Sequence, residues 1–273
     1  MIEIAEAKYI TAQIDFELKG MKIVKVEVNR NPHSFAWFNK SPAEYEQIVQ
    51  NQKIKEAKSS GSMMRIILES EDELVFGEDI VFSYHDQKQE VGKNQLMLYF
   101  DHGMVLEIRT KLYGFFLIAK MDELISKNQY FSKAVQSIGV MDKDFTFDYF
   151  INATRMNDGK GSVKEALATD QHLPGIGNGT IQDVLFEAKI RPERKIATLS
   201  DNEKKEIFKA LVLKTKTYFE HGGRDNTTDL FGRNGGYKVM MSSYNTFCPL
   251  CNTELTKKPF LGGKVIYCPS CQK

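Results

Sequence analysis

Four cysteines fall within the last 26 residues of the 273-residue chain, at Cys248, Cys251, Cys268 and Cys271. Their spacing, C-x2-C-x16-C-x2-C, fits a zinc ribbon. Each CxxC knuckle turns sharply enough to place two sulfurs on one ion, and two knuckles complete a closed tetrahedral site. Such a site has no open position for a reacting water, so one Zn2+ here is structural. A disulfide framework would spread its cysteines along a secreted chain. The segment between the knuckles, LTKKPFLGGKVIY, reads as a β-hairpin with Lys257, Lys258 and Lys264 available to phosphates. From Gly232 to Lys273 six Lys/Arg face one acid, Glu254, a net of +5. Four thiolates and one Zn2+ add −2, leaving about +3 on an otherwise balanced chain whose total is +1.

A second stretch with chemical potential is TDQHLPGIGNG, residues 169–179. Gly175, Gly177 and Gly179 let the backbone approach a partner closely. Asn178 reads as the cap of a helix starting near Thr180. A helix N-terminus offers unpaired N–H groups and the positive end of a dipole, which suits a phosphate. No Lys-Ser/Thr follows, which excludes a Walker A loop. The spacing also misses the dinucleotide fingerprint. Another glycine cluster, GGRDNTTDLFGRNGGYK at 222–238, reads as a long mobile loop leading into the cysteine hairpin. Glu3 and Glu6, at the start of the chain, taken alone complement a helix dipole.

These residues must be positioned by two kinds of structure. Residues 2–19 carry Ala7, Ile10, Ile14 and Leu18 at helical spacing, and Gly20 ends the run. To about residue 130 the chain then reads as strands: MKIVKVEVNR, MMRIILESED, DIVFSYHD, NQLMLYFDHG and MVLEIRTKLYGFFLIAK. DHG at 101–103 reads as a hairpin turn. From about 142 the period becomes helical, in FDYFINATRM, SVKEALAT, TIQDVLFEAKI and SDNEKKEIFKALVLKTKTYFEHGG. Ser200 with Glu203 makes a capping box for the last of these. Residues 131–143 read as a connector. A hydrophobic content of 42% supports a packed core. No apolar run approaches the roughly 18–20 residues of a membrane span. The start, MIEIAEAKYI, lacks the basic and apolar segments of a signal peptide. The expectation is a cytoplasmic, nucleoid-associated protein.

An acidic N-terminal helix, a β-domain, helices carrying DQHLPGIGNG and a closing CxxC…CxxC hairpin occur here in that order. Together with SVKEALATDQHLPGIGNGTIQDVLFEAKIRPER (162–194) and GGRDNTTDLFG…GGY, they make the chain resemble the formamidopyrimidine-DNA glycosylase / endonuclease VIII family. The resemblance implies an α+β multidomain protein. Residues 1–130 would form an N-terminal helix and β-sandwich, 131–231 a helix–two-turns–helix domain, and 232–273 the zinc ribbon. It implies a monomer that binds duplex DNA with a damaged base or abasic site and excises oxidised bases, without a membrane partner. Asn178, with Gly179 beside it, matches the asparagine that holds a phosphate, and Lys164 matches a basic residue of the preceding helix. Tyr113 sits where the family has a wedging phenylalanine. Lys111 falls near its arginine that fills the space of the flipped base. Glu3 and Glu6 match the family's two N-terminal acids. The family's nucleophile is an N-terminal amine that attacks the sugar C1′ and forms a Schiff base.

The chain departs from that pattern at four places. Ile2 replaces the nucleophilic proline, Ala5 a second proline, and Gly61-Ser62 a Gly-Lys pair on a β-hairpin. Gly263 aligns with a phosphate-binding arginine, and Lys264 is adjacent. Bulky Ile2 is expected to hinder removal of Met1, so the reactive amine belongs to Met1, or to Ile2 if Met1 is lost. Three functions follow from the same residues: a glycosylase with abasic-site lyase activity, a catalytically weak or inactive binder of lesion DNA, or another role such as a zinc-stapled module that contacts protein or RNA.

Overall fold

A computed structural model of the chain describes residues 1–89, 92–169 and 171–273. Asp170, within the glycine segment quoted above, lies outside the described residues. The chain packs as two compact units, Met1–Gln136 with Gly222–Gly236, and Ser137–His221 with Tyr237–Lys273. The expected boundaries at 130/131 and 231/232 are therefore displaced. The segment after the last long helix returns to the first unit, and the cysteine hairpin packs with the helices instead of standing alone.

The first unit opens with α1 (Ile4–Leu18), whose Ala7, Ile10, Ile14 and Leu18 are buried. Gly20, at φ +80°, lets the chain turn out of it. Seven strands follow: β1 (Ile23–Val28), β2 (Ala36–Phe38), β3 (Ile54–Ser60), β4 (Met63–Leu68), β5 (Asp72–Asp86), β6 (Leu96–Phe100) and β7 (Met104–Lys120). They form one hydrogen-bonded sheet in the order β1-β6-β7-β5-β4-β3, with β2 parallel to β7 and all other pairs antiparallel. The expected sandwich thus takes the form of a continuous sheet, because β5 and β7 run through both of its halves. Residues from both halves, among them Phe82, Leu98 and Ile108 and Ile66, Phe76 and Phe116, share one core with α1.

Three helices of this unit escaped the sequence pattern. α2 (Pro42–Val49) starts at Ser41, which makes a capping box with Glu44. α3 (Met121–Lys127) and α4 (Gln129–Gln136) bury Leu124, Phe131 and Ala134 against Met63, Val75 and Ala119 of the sheet. Part of the expected connector is therefore helix that covers the sheet.

The second unit holds α5 (Phe147–Thr154), α6 (Val163–Ala168), α7 (Asn178–Glu187) and α8 (Asp201–Glu220). Ser200 and Glu203 cap α8 as the sequence predicts. The hairpin of β8 (Thr256–Phe260) and β9 (Gly263–Tyr267) turns at Leu261 and Gly262, both at positive φ. Phe186 of α7 packs with Met241, Cys248, Leu255, Ile266 and Cys268. Buried Asp183 accepts the backbone N–H groups of Met240 at 3.1 Å and Met241 at 2.7 Å. Its carboxyl is pushed above the usual range by burial, which those two amides counter. Gln272 closes the unit, donating to Ile190 O at 2.8 Å while accepting from Cys268 N at 2.8 Å.

Candidate active site and nucleic-acid interface

The start of the chain is docked on an irregularity of the sheet. Glu78 pairs with Gly114 and Ile80 with Thr110, so one residue of β5, Asp79, faces three of β7: Lys111, Leu112 and Tyr113. The excess residues are thrust outward. Lys111 and Leu112 are exposed, and Tyr113 is half-buried. Gly114 makes this possible, since a Cβ there would lie 2.5 Å from Ile80 Cδ1. On the β5 side Glu78 takes φ +75°, a strained value for a residue with a side chain. Its carbonyl accepts Ile2 N at 3.3 Å, and Asp79 Oδ1 lies 3.1 Å from the N-terminal ammonium of Met1. One bulge therefore holds the N-terminal amine and presents both residues expected at the base stack. Burial pushes the Glu78 carboxyl above its usual range, Asp79 adding to this and the ammonium opposing it. Burial likewise raises the Tyr113 phenol, helped by Glu78 and Asp79.

Behind the amine lies a buried ionic cluster. Glu3, Glu6 and Arg224 are 4%, 2% and 3% exposed. Arg224 Nε donates to Glu6 Oε1 at 2.7 Å, Nη2 to Glu6 Oε2 at 3.1 Å, and Nη1 to Glu3 Oε1 at 3.1 Å. Nη2 also reaches the Met1 carbonyl at 3.4 Å. Three charges of such burial need this density of hydrogen bonds, because each ion lost several kcal/mol of hydration on entering the interior. The sequence reading missed Arg224, since an arginine in a glycine-rich stretch reads as an exposed cation. The glycines are instead what bring it in. A Cβ on Gly235 would sit 2.3 Å from the backbone of Gly223, and one on Gly223 3.0 Å from Glu6 Cγ. The expected mobile loop into the hairpin is thus a packed return. It is fixed by Gln13 Nε2 donating to Asp229 at 3.0 Å and Tyr84 N donating to Leu230 O at 2.9 Å.

The departures from the expected pattern have structural consequences. The Ile2 side chain is 6% exposed and belongs to the core of the first unit. Ser62 lies in the turn between β3 and β4 and carries no charge. Arg65 does not replace the missing lysine, being locked to both Glu73 oxygens at 2.8 Å.

In the second unit Lys164, Asn178 and the hairpin come together. Lys164 Nζ donates to the carbonyls of Phe260 and of Leu261, the latter at 3.3 Å. Burial lowers its ammonium below the ordinary lysine value. Asn178 is the first residue of α7 and not its cap. Gly177 holds the cap position, and Asn178 Nδ2 donates to Lys264 O at 2.8 Å instead. A Cβ at Gly263 would lie 3.4 Å from Lys164 Nζ and 3.6 Å from Asn178 Cγ. The position where the family pattern has an arginine therefore touches both residues expected to bind phosphate. Gly179 follows Asn178 in the first turn of α7, and the Lys264 side chain is exposed. Of the other hairpin lysines, Lys258 pairs with Glu193 at 2.7 Å and Lys257 donates to Ser243 O at 2.8 Å.

The sulfurs of Cys248, Cys251, Cys268 and Cys271 lie within 4.8 Å of one another. Neighbouring pairs are 3.4 Å, 3.5 Å and 3.8 Å apart. Sulfurs about 2.3 Å from a tetrahedral zinc would be about 3.8 Å apart, so the set is compatible with a structural metal.

No family model matches the chain. A formamidopyrimidine-DNA glycosylase of Mycoplasmopsis pulmonis is 25% identical over 100% of this chain and 98% of its own length. One of Listeria monocytogenes is 29% identical over 70% and 71%. The chain is thus similar along its whole length to formamidopyrimidine-DNA glycosylases. The fold agrees. A Lactococcus lactis Fpg in complex with DNA containing an abasic site superposes with a TM-score of 0.85 at 17% identity, over 99% of both chains. The Thermus thermophilus family member gives 0.83 at 18%, over 99% of this chain and 98% of that one. Among the described residues no helix is long and apolar enough to cross a membrane.

Proposed function

We propose that the protein is a DNA repair glycosylase that binds duplex DNA at damaged or abasic sites and releases the damaged base. The observation that carries this reading is the N-terminal amine held at 3.1 Å by Asp79, on the same bulge that presents Lys111 and Tyr113. Solved relatives are complexes with abasic-site DNA and with Fapy-dG-containing DNA, both of the Lactococcus lactis protein. In this reading the amine gives a proton to Asp79 and attacks C1′ of the sugar. The glycosidic bond breaks and the base departs with the bonding pair, taking up the proton that the attacking nitrogen loses. The C1′–O4′ bond then breaks, O4′ takes the proton held on Asp79, and a protonated imine remains between the nitrogen and C1′. Glu3 assists as the neighbouring carboxylate, with its position set by Glu6 and Arg224. Lys164, Asn178, Gly179 and Lys264 grip phosphates, Tyr113 wedges into the stack, and Lys111 fills the vacated space. One zinc ion held by the four cysteines would fix the hairpin against which Lys164 and Asn178 rest, without taking part in the reaction.

The test is borohydride trapping on a duplex with a single abasic site, followed by peptide mapping. An adduct on the N-terminal residue supports the reading. An adduct on an internal lysine keeps the enzyme and moves its nucleophile. A second reading, a lesion-binding protein of weak activity, is favoured by the burial of Ile2 where a reactive proline is the rule and by Ser62 in place of a lysine. It predicts tight abasic-site binding with no adduct.

A further inference from the structure

Four aromatic residues of the first unit, Phe35 and Trp37 exposed and His33 and Tyr113 half-buried, form a row. Ring centroids are 6.2 Å apart between His33 and Phe35, 6.5 Å between Phe35 and Trp37, and 6.4 Å between Trp37 and Tyr113. Phe35 is 57% and Trp37 51% exposed. The backbone under them is fixed. Phe35 N donates to His33 Nδ1 at 3.2 Å, Ala36 N to His33 O at 3.0 Å, and Gly114 N to Phe35 O at 2.9 Å. β2 then pairs with β7, while the next side chain, Phe38, stacks on Phe116 at 4.6 Å. The strand thus anchors one ring inside and presents the others to solvent. Aromatic surface displayed in this way on a rigid edge marks a binding site.

The charge of the surrounding segments selects the ligand. Residues 29–40 contain Arg30 and Lys40 and no carboxylate, and residues 109–116 contain Arg109 and Lys111 and no carboxylate. Among the described residues Arg109 and Lys111 form no ion pair, whereas Arg30 and Lys40 meet Glu27 and Glu123 at 3.5 Å and 3.8 Å. Glu78 and Asp79 act on the row at its Tyr113 end, and Asp79 is paired with the N-terminal ammonium. Rings interleaved with cations suit a nucleic-acid strand.

We propose that His33, Phe35, Trp37 and Tyr113 form a stacking platform for an unpaired strand of DNA, leading away from the N-terminal amine. The proposal rests on the DNA-repair reading and extends its substrate class to lesions in single-stranded or locally opened DNA. Ring spacing decides against paired DNA. Bases in a duplex advance about 3.4 Å per nucleotide and bury their faces against one another. Rings 6.2–6.5 Å apart, with planes inclined by 57–68°, can meet only bases that have left the stack. An unpaired strand offers a face on every base, and stacking on it tolerates any sequence.

Trp37 is the single tryptophan of the chain, so its fluorescence reports on the row directly. The full-length protein is titrated with an unmodified single-stranded oligodeoxynucleotide and with the same sequence as a closed duplex hairpin. Quenching of Trp37 by the single strand, at lower concentration than by the hairpin, is expected. Phe35→Ala is expected to weaken single-strand binding by about tenfold. Its melting temperature and its affinity for an abasic-site duplex, read by anisotropy, should stay as in the wild type. Absence of quenching, or an equal loss of single-strand and duplex binding in Phe35→Ala, overturns the platform. So does self-association that Phe35→Ala abolishes, which would give the row to a second copy of the chain. Failure to bind the abasic-site duplex at all overturns the DNA reading itself, and with it the platform. Duplex binding without quenching by single strands overturns the platform alone.

Discussion

The N-terminal cluster and the cysteine hairpin solve the same problem by opposite means. Each must hold polar groups at fixed places for a ligand. In the hairpin the fixing is mostly local: two knuckles and a two-residue turn, with helix α7, whose Asp183 lies 57 to 58 residues away in sequence, packed alongside. In the N-terminal cluster it is long-range. Arg224 reaches Glu3 and Glu6 from 218 to 221 residues away in sequence. Local devices survive drift because each is set by its own few residues. Long-range ionic devices must be kept charge by charge, since removing one partner strands the others in the interior. The hairpin region accordingly brings its four sulfurs within 4.8 Å of one another. The N-terminal region carries Ile2 and Ser62 where the resemblance leads one to expect a proline and a lysine, yet holds both acids in a closed ionic network.

The largest effect should come from breaking the metal side of this comparison. Cys268→Ser removes one of four ligands, and Cys268 is fully buried in the hairpin core. Loss of the metal, unfolding of the hairpin and loss of DNA binding are expected, with zinc content and anisotropy as the readouts. A variant that binds DNA at wild-type affinity without metal would show that the helices alone hold Lys164 and Asn178 in place.

The ionic side is broken by Arg224→Met. The variant leaves two buried carboxylates without their cation, a loss of about 3–5 kcal/mol in stability when one partner of a buried network is removed. Chemical denaturation checks it. Combining it with Glu3→Gln and Glu6→Gln should restore much of the stability but not the activity, because amides need no counter-charge and cannot serve as carboxylates. Stability unchanged in Arg224→Met alone would mean that water already shares the cluster.

This contrast also explains what could be read from sequence. The knuckles, the Ser200–Glu203 cap and the apolar stripe of α1 each lie within a few residues, and each was legible. The Ser41–Glu44 cap of α2 is equally local, but the segment of mixed composition around it masks the helix in the sequence. Arg224 and the bulge at Lys111–Tyr113 were not legible in principle. One depends on a partner some 220 residues away, the other on the mismatch of three residues in β7 against one in β5. Asn178 shows a third case, in which a residue that reads as the cap of α7 is tied to the hairpin backbone instead. Its side chain had two possible partners, the α7 amides or the hairpin backbone, and only folding decides between them.

Asn178→Ala gives the smallest effect and the sharpest reading of that choice. The side chain ties the start of α7 to Lys264 O through Nδ2, while its Oδ1 is buried with no hydrogen-bond partner. Removing it deletes one hydrogen bond and one unmet acceptor together, so the fold should lose little, about 1 kcal/mol or less. DNA binding should fall more, by about tenfold, since hydrogen bonds to a charged phosphate are the stronger kind. A phosphate carries no sequence or lesion information, so the loss should be the same for an intact duplex and for one with an abasic site. Anisotropy titrations with the two duplexes measure this. An equal loss places Asn178 with the hairpin as a phosphate contact. A loss confined to the abasic duplex would place it instead with the N-terminal cluster, as part of the machinery that senses the lesion.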